Sequence, residues 1–232
     1  VQSKARWDSG VYRIALVGYT NAGKSTLLNR LTGSDVYAKD ELFATLDPTT
    51  RSMVLDEGRK ITITDTVGFI QKLPTTLIES FKSTLAEVCA ADLVLVVVDA
   101  SDSHAVQEVA AVRGILSEIG ADSIRQLTVL NKCDLLDEEQ LRDSLSAFPG
   151  AVEISALEGR GVTGLLYEVS VIASEGDRAM TVLVSYEKGL LLKMVHERCQ
   201  VMRERYVDGG LLATVKASER MRATLAPYEV RD

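Results

Sequence analysis

Near the start of the chain, an apolar run, a loop framed by glycines and a helical run follow one another, and this order strongly constrains the fold. Residues 14–17 read Ile-Ala-Leu-Val, residues 18–25 read Gly-Tyr-Thr-Asn-Ala-Gly-Lys-Ser, and residues 26–31 read Thr-Leu-Leu-Asn-Arg-Leu. Gly18 and Gly23 let the backbone curl so that its N–H groups point inward, which is how such loops hold phosphate oxygens. A helix beginning near Lys24 directs its positive dipole end to the same place. The sequence therefore predicts a phosphate-binding loop after the first strand.

Composition places the chain among soluble globular proteins. Its 232 residues are 46% hydrophobic and 25% charged, which is ordinary for that class. No apolar run approaches the roughly 20 residues of a membrane span, and residues 1–6 lack the apolar centre of a signal segment. The three cysteines stand far apart, which favours free thiols in a reducing compartment. We expect a cytoplasmic protein with no stable membrane insertion.

Charge is unevenly distributed along the chain. The net charge is −7, but residues 177–232 contain 10 Lys and Arg against 8 Asp and Glu, so the acidic excess lies in residues 1–176. Binding to a nucleic-acid backbone depends on clustered positive charge. The chain is therefore not a general nucleic-acid binder, and any RNA contact must use a local basic surface or a segment absent from this sequence.

Apolar strands alternate with helical patterns along most of the chain. This predicts an α/β fold with a doubly wound, mostly parallel sheet covered on both faces. We expect residues 1–10 to be the end of a linker, 11–176 to form a nucleotide-binding domain, and 177–232 to form a small α+β domain. Strands are predicted at 11–17, 53–55, 60–64, 92–98, 126–130, 151–154, 180–185 and 210–217. Helices are predicted at 24–31, 77–88, 105–119, 138–145, 162–173, 187–205 and 218–225.

A second motif, Asp65-x-x-Gly68, follows the predicted strand at 60–64. In this position a carboxylate is suited to hold Mg²⁺ through a water, and the Gly68 N–H is suited to sense a γ-phosphate. Lys24 would reach the β- and γ-phosphates, and the Ser25 hydroxyl would bind the Mg²⁺ directly. The two motifs together indicate a nucleoside triphosphate site.

A third motif, Asn131-Lys132-x-Asp134, follows the strand at 126–130. A carboxylate at Asp134 accepts two hydrogen bonds from the N1–H and N2 amino groups of guanine, a pair that adenine does not offer. The aliphatic stem of Lys132 would lie over the purine. Ser155-Ala156 follows the next strand and would offer a backbone N–H to the guanine oxygen. Because ligands bind at the carboxyl ends of parallel strands, we expect these motifs to converge and to select GTP over ATP.

These motifs resemble those of translation-type small GTPases, and the longer matches resemble the HflX family of ribosome-associated GTPases. The matching segments are Gly18–Thr26, Phe43–Thr49 (Phe-Ala-Thr-Leu-Asp-Pro-Thr), and Asp65–Ile70 (Asp-Thr-Val-Gly-Phe-Ile) with Leu73-Pro74. The tail at 180–232 is similar to the family's small C-terminal domain. The resemblance covers nearly the whole chain, but the family normally carries an N-terminal domain and a helical linker, of which only the linker's end would be present here.

The resemblance implies a GTP-hydrolysing switch that binds GTP and GDP with Mg²⁺ and associates with the large (50S) ribosomal subunit, its rRNA and its proteins. It places the switch segment at 43–47 and gives Thr45 to the Mg²⁺, whereas residue chemistry alone leaves Thr45, Thr49 and Thr50 as candidates. The catalytic candidates are Lys24, Thr45 and Gly68, and the metal-site candidates are Ser25, Thr45 and Asp65. The nucleotide-contacting candidates are Gly18, Tyr19, Thr20, Asn21, Ala22, Gly23, Lys24, Ser25, Thr26, Phe43, Ala44, Thr45, Leu46, Asp47, Asp65, Thr66, Val67, Gly68, Asn131, Lys132, Cys133, Asp134, Ser155, Ala156 and Leu157.

Two residues bear on the rate of hydrolysis. Many GTPases place a Gln directly after the D-x-x-G motif to orient the attacking water, but this chain has Phe69 there, which predicts slow intrinsic hydrolysis stimulated by a partner. Asn21 resembles the Asn that holds K⁺ in potassium-activated GTPases. Two interpretations of Asn21 stay open: it binds K⁺, or it only shapes the loop.

Other functions are compatible with parts of the sequence. A nucleotide-dependent adaptor that binds a protein partner with negligible turnover would also explain Phe69. An ATPase is disfavoured by the base-reading motif, and it would keep its nucleotide preference in an Asp134→Asn variant. Nothing in the sequence requires more than a monomer.

Overall fold

The computed structural model describes residues 11–33, 48–68 and 85–230, apart from the side chain of Arg220. The linker end predicted at 1–10, the switch segment at 43–47, Phe69 and most of the helix predicted at 77–88 lie outside this range. The described strands are β1 (Tyr12–Val17), β2 (Thr49–Val54), β3 (Lys60–Asp65), β4 (Leu93–Asp99), β5 (Arg125–Asn131), β6 (Val152–Glu153), β7 (Arg178–Val184), β8 (Gln200–Val207) and β9 (Gly210–Ala217). The α-helices are α1 (Lys24–Thr32), α2 (Ala105–Glu118), α3 (Glu138–Ala147), α4 (Val162–Ala173), α5 (Gly189–Arg198) and α6 (Glu219–Leu225).

A six-stranded sheet in the order β2-β3-β1-β4-β5-β6 carries the predicted motifs. The pairs β1–β4, β4–β5 and β5–β6 are parallel, which confirms the expected mostly parallel α/β architecture. Leu93 to Val98 are at most 3% exposed, as expected for a strand covered on both faces. Asp99 lies opposite Asn131 in the register of β4 and β5, so two polar residues are neighbours where these apolar strands end.

Helix α1 follows the phosphate loop as predicted. Leu27 and Leu28 are fully buried, and burying each side chain contributes about 2 kcal/mol to folding. The helix ends at Gly33, whose φ of 62° lies in the left-handed region that glycine adopts readily at helix ends. The apolar face of α1 therefore fixes the helix against the core while its first turn stays at the phosphate loop.

On the hairpin formed by β2 and β3, the first strand is longer than predicted. It begins at Thr49 rather than Met53, and the turn is closed by bonds from the Gly58 N–H to the Leu55 carbonyl and from the Leu55 N–H to the Arg59 carbonyl. The hydroxyls of Thr50 and Thr64 lie 2.9 Å apart across the hairpin. The polar residues at the start of β2 concealed this strand, because their exposed pattern resembles that of a loop.

The C-terminal part forms a three-stranded sheet in the order β7-β9-β8, with both neighbouring pairs antiparallel. The predicted long helix at 187–205 is wrong: α5 ends at Arg198, and Gln200 begins β8. The missed signal is Asp208-Gly209 between two runs rich in Val, Tyr and Leu, a pattern typical of a tight hairpin. The short helix α6 begins as predicted, because the Ser218 hydroxyl accepts a hydrogen bond from the Met221 N–H.

The described residues form two compact units: 11–12, 54–61 and 169–230 make one, and 13–33, 48–53, 62–68 and 85–168 make the other. Within the first unit, the buried Arg59 donates to the Ala173 carbonyl at 2.7 Å and to the carboxylate of Asp177. The hairpin turn thus belongs with the C-terminal sheet, while the predicted domain boundary at 176 stays a prediction. Among the described residues, the helices are all too short or too polar to cross a bilayer.

Candidate nucleotide site

The loop between β1 and α1 has the backbone of a phosphate-binding loop. Asn21 and Gly23 have φ angles of 65° and 90°, so the chain reverses its curvature inside the loop. A Cβ on Gly18 would lie 2.1 Å from the Val97 carbonyl oxygen, and one on Gly23 would lie 2.2 Å from the side-chain nitrogen of Asn131. Both glycines are therefore required by close packing, and the loop lies directly against the ends of β4 and β5.

Lys24 is a buried cation at the start of α1. It is 7% exposed, and its ammonium donates to the carbonyls of Gly18 at 3.1 Å and Tyr19 at 2.7 Å. Burial lowers its pKa to about 8, against the opposing effect of Asp65 and Glu108. The protein thus keeps a costly positive charge within the loop, where a phosphate would be its natural partner.

Ser25, the residue that follows this lysine, contacts Asp65. The Ser25 hydroxyl donates to the Asp65 carboxylate at 2.5 Å, and Asp65 and Thr66 are fully buried. The Thr66 hydroxyl donates to the Leu16 carbonyl at 2.6 Å, which fixes the segment after β3 beside β1. A hydroxyl and a carboxylate are hard oxygen ligands of the kind that Mg²⁺ prefers, so these residues fit a magnesium ion.

No group of three or more His, Cys, Asp or Glu suited to a metal occurs among the described residues. Mg²⁺ in nucleotide sites is commonly held by one or two protein oxygens together with water and substrate phosphates. The Ser25–Asp65 pair matches that sparse arrangement. Thr45, the third predicted ligand, lies outside the described residues.

Gly68 lies against the phosphate loop. A Cβ at this position would be 2.8 Å from the Thr20 side chain and 2.9 Å from its Cα. The D-x-x-G and glycine-loop motifs, predicted separately from the sequence, therefore stand side by side in the structure. A side chain larger than hydrogen at Gly68 would force the two segments apart.

At the other end of the site, Asn131 joins three segments of the chain. It is 2% exposed. Its amide donates to the Ala22 carbonyl at 2.8 Å, and its side-chain oxygen accepts from the Ala156 N–H at 2.9 Å. One side chain thus links the phosphate loop to the loop after β6. Asn131 is 109 residues from Ala22 and 25 residues from Ala156 in sequence.

This geometry modifies the predicted role of Ala156. A backbone N–H of Ser155-Ala156 was expected to meet the guanine oxygen, but the Ala156 N–H already donates to Asn131 and the Ser155 N–H to the Arg160 carbonyl. The next donors are the N–H groups of Leu157 and Glu158, and the latter donates to the Ser155 hydroxyl at 3.1 Å. A base oxygen would therefore share the Ala156 N–H or receive the Leu157 N–H.

Lys132 is held by a residue that the sequence reading did not assign to the site. Its φ is 62°, and its ammonium lies 2.7 Å from a carboxylate oxygen of Asp99. The other oxygen of Asp99 accepts from the Ser101 N–H at 3.0 Å and from its hydroxyl at 2.6 Å. The position of Asp99 directly after an apolar strand was the available signal, since the predicted site residues also follow strands.

Cys133 lies just after Lys132 and is 2% exposed. Its thiol donates to the Leu130 carbonyl at 3.2 Å, and burial raises its pKa. The residue therefore packs beneath the loop as a structural side chain. Because its thiol is buried and its pKa is raised, it is unsuited to nucleophilic chemistry. Asp134 follows in a short 3-10 turn, Cys133–Leu135, just past the end of β5.

Comparisons with known proteins agree with this arrangement. Residues 13–132 match the family model described as 50S ribosome-binding GTPase. The chain is 40% identical to the GTPase HflX of Caldanaerobacter subterraneus subsp. tengcongensis, over 96% of this chain and 52% of the relative. It is 42% identical to the GTPase HflX of Akkermansia muciniphila, over 91% of this chain and 49% of the relative. The chain therefore spans about half the length of these curated relatives.

Solved structures show the same fold. A GTP-binding protein from the archaeon Sulfolobus solfataricus, solved in complex with GDP, is 27% identical, with a TM-score of 0.56 over 75% of this chain and 55% of that chain. The fold, the motifs and the match over more than half of the sequence agree. The chain belongs to the family of 50S ribosome-binding GTPases, and among them to the HflX GTPases.

Proposed function

We propose that this chain binds GTP and GDP through the residues described above, hydrolyses GTP, and uses that cycle to bind and leave the large ribosomal subunit. The observation that carries the proposal is the Asn131 side chain, which is bonded to both the Ala22 carbonyl and the Ala156 N–H. Because of it, the phosphate loop, the base-reading motif and the loop after β6 share one corner of the sheet. A guanine nucleotide would span that corner.

The residues of the phosphate loop would share the work of binding and stabilising charge. The ammonium of Lys24 would exchange or share its contacts with the Gly18 and Tyr19 carbonyls to reach phosphate oxygens. Backbone N–H groups from Gly18 to Thr26 would hold the remaining phosphate charge. The Gly68 N–H would bind a γ-phosphate oxygen, so the segment after β3 would distinguish GTP from GDP.

We infer that Ser25 and Asp65 hold Mg²⁺, the former directly and the latter through a water, with Thr45 completing the site when GTP is bound. The ion would neutralise charge on the β- and γ-phosphates. Asn21 would hold K⁺ beside the phosphates. Equal hydrolysis rates in potassium and sodium buffers would remove the K⁺ proposal without affecting the remainder.

Base selection would rest on Asp134, whose carboxylate accepts the N1–H and N2 amino groups of guanine. In an Asp134→Asn variant, the amide would instead donate to the C2 oxygen of xanthine. We expect the preference for GDP over XDP to fall by 100-fold or more and to reverse, because a buried unpaired polar group costs about 3 kcal/mol. An unchanged preference would contradict guanine recognition by this motif.

The ribosomal part of the proposal rests on the family match and on the names of the relatives. Phe69 has no group to orient water, so intrinsic hydrolysis would be slow and a ribosomal contact would stimulate it. A ribosome partner would also place the protein in the cytoplasm. The alternative is a nucleotide-dependent adaptor with negligible turnover, which the same residue favours.

GTP turnover measured in KCl, with and without purified large ribosomal subunits, tests both functions. A rise with subunits, lost in Lys24→Met, would support the ribosome-stimulated GTPase. Tight GTP binding without turnover under either condition would favour the adaptor. Repeating the assay with a full-length HflX relative, of which this chain matches about half, would show whether the relative's further sequence supplies the ribosomal contact.

A further inference from the structure

Arg30 lies in the last turn of α1, and sequence analysis gave it no role. Its guanidinium reaches the loop after β6, 126 residues away in sequence, where the Nε–H donates to the Ala156 carbonyl at 3.0 Å. A second guanidinium nitrogen donates to the Leu157 carbonyl. Arg30 thus binds two consecutive carbonyls in the segment next to the predicted guanine oxygen site.

The turn at Gly159, in the same loop, lies close to this guanidinium. Gly159 has a φ of 83°, and a Cβ placed there would lie 3.6 Å from one Arg30 nitrogen and 3.7 Å from its Cδ and Cζ. The Gly159 N–H donates to the Ser155 carbonyl at 2.7 Å, which closes the loop. The Arg30 guanidinium therefore lies beside both the carbonyls that it binds and the tight turn at Gly159.

The direction of these bonds has a consequence for the donors in the loop. A trans peptide is planar, and its N–H points opposite to its C=O. Because Arg30 binds the Ala156 carbonyl, the N–H of the same peptide unit, which belongs to Leu157, is directed away from the guanidinium. The neighbouring N–H groups of Ala156 and Glu158 donate to the side chains of Asn131 and Ser155, whereas the Leu157 N–H has no hydrogen-bond acceptor among the described residues.

We propose that Arg30 is a positioning residue for base recognition: by binding the Ala156 and Leu157 carbonyls, it orients the loop so that its N–H groups meet the oxygen at position 6 of guanine. The inference rests on the proposed function, since it assumes that a guanine nucleotide binds at this corner. Arg30 would thus influence base specificity from the phosphate-loop helix, by positioning the loop that contacts the base. Arg30 itself does not touch the nucleotide.

The test compares nucleotides that differ at single positions of the base. GDP and 6-thio-GDP differ only where oxygen is replaced by sulfur, a weaker acceptor, and GDP and IDP differ only by the N2 amino group. Dissociation constants for all three are measured by titration calorimetry with the wild-type chain, Arg30→Met and Arg30→Lys. The exposed Arg142 on α3 supplies a matched control variant, Arg142→Met.

We expect Arg30→Met to weaken GDP binding about fivefold, the scale of one hydrogen bond, and to bring the preference for GDP over 6-thio-GDP close to one. The preference for GDP over IDP stays unchanged, because Asp134 reads the amino group. Arg30→Lys should restore part of the lost preference, since one ammonium can bind one of the two carbonyls.

Two outcomes overturn the inference. If all three nucleotides weaken equally in Arg30→Met, the residue only stabilises the loop. If none changes, it has no part in binding. Failure of the wild-type chain to bind GDP would instead defeat the proposed function, so the two failures are separable. Because Arg30 is exposed, we expect the variants to fold, and thermal unfolding checks this.

Discussion

The two ends of the candidate nucleotide site are built differently. At the phosphate end, Lys24 donates to two carbonyls of its own loop and Ser25 donates to Asp65, and binding would require both to exchange or share these partners. At the base end, the bonds of Asn131 join separate segments, and binding would leave them in place. A nucleotide would therefore rearrange the first end, whereas it would find the second end already organised.

The difference follows from charge. A buried ammonium is costly, so the Lys24 charge gains most from a ligand that carries negative charge. The amide of Asn131 is neutral and is bonded within the protein through both its nitrogen and its oxygen, so it stabilises the fold with or without nucleotide. Variants at the two ends should therefore separate binding from stability.

The largest expected effect is at the phosphate end. We expect Lys24→Met to weaken GDP binding by on the order of 100-fold or more, since it removes charge-assisted bonds to phosphate worth about 3 kcal/mol. The melting temperature without nucleotide should stay the same or rise, because a buried charge is removed. Calorimetric titration and thermal unfolding measure the two quantities, with Lys216→Met as an exposed control. A large fall in melting temperature would contradict the comparison.

At the base end, we expect Asn131→Ala to reduce both the free energy of unfolding and the affinity for GDP. It leaves the Ala22 carbonyl and the Ala156 N–H without their partner, at a cost of about 2–4 kcal/mol in the free energy of unfolding. GDP affinity falls as well, because the two loops lose their connection. Urea unfolding and GDP titration test this. If Asn131→Ala loses affinity while keeping its stability, the base end is not preorganised.

A smaller effect is expected for Asp99, which holds Lys132. Their side chains are 19% and 28% exposed, so solvent weakens the ion pair. We expect Asp99→Asn to weaken GDP binding about threefold, consistent with a contribution of about 0.6 kcal/mol. Asp143→Asn on α3 is the control. The difference between the two variants should shrink as salt is raised, and a difference independent of salt would argue against electrostatic positioning.

The smallest expected effect concerns alkylation of the native cysteine thiols, which needs no substitution. Cys133 at the base end and Cys199 in the C-terminal sheet are buried, whereas Cys89 is exposed. Burial raises the pKa of Cys133 and raises that of Cys199 to about 11, so few thiolates form at these sites even at pH 9. Alkylation followed by mass spectrometry should label Cys89 first, with or without GDP. Labelling of Cys133 that GDP suppresses would show that the base end opens as readily as the phosphate end.

Much of the fold was readable because its signals are local. The apolar runs predicted the central strands, and Gly33 and Ser218 marked helix boundaries that the structure confirms. The wrong long helix at 187–205 shows the limit of this approach. A helix pattern continued into β8 and outweighed the hairpin signal at Asp208-Gly209. In the structure the segment is extended because it pairs with β9, and strand preference depends on such neighbouring strands.

In the candidate site, too, residues with local signals were predicted, and residues whose partners are distant in sequence were not. Its motifs were found because each needs particular residue types at short spacing. Asp99 and Arg30 were not assigned, because their partners are distant: Arg30 contacts a loop 126 residues away. No spacing rule connects such residues before the sheet brings strand ends together.

The sequence by itself determined the α/β class and singled out the candidate phosphate loop and the candidate base-reading motif, because these depend on local backbone geometry and on the chemistry of single side chains. Only the tertiary structure decided which hydrogen bonds join the motifs and which are available to a ligand. Folding brings Asn131 beside Ala22 and Arg30 beside Ala156. A polar group's role depends on the partners it meets in the folded protein, and distant segments supply those partners.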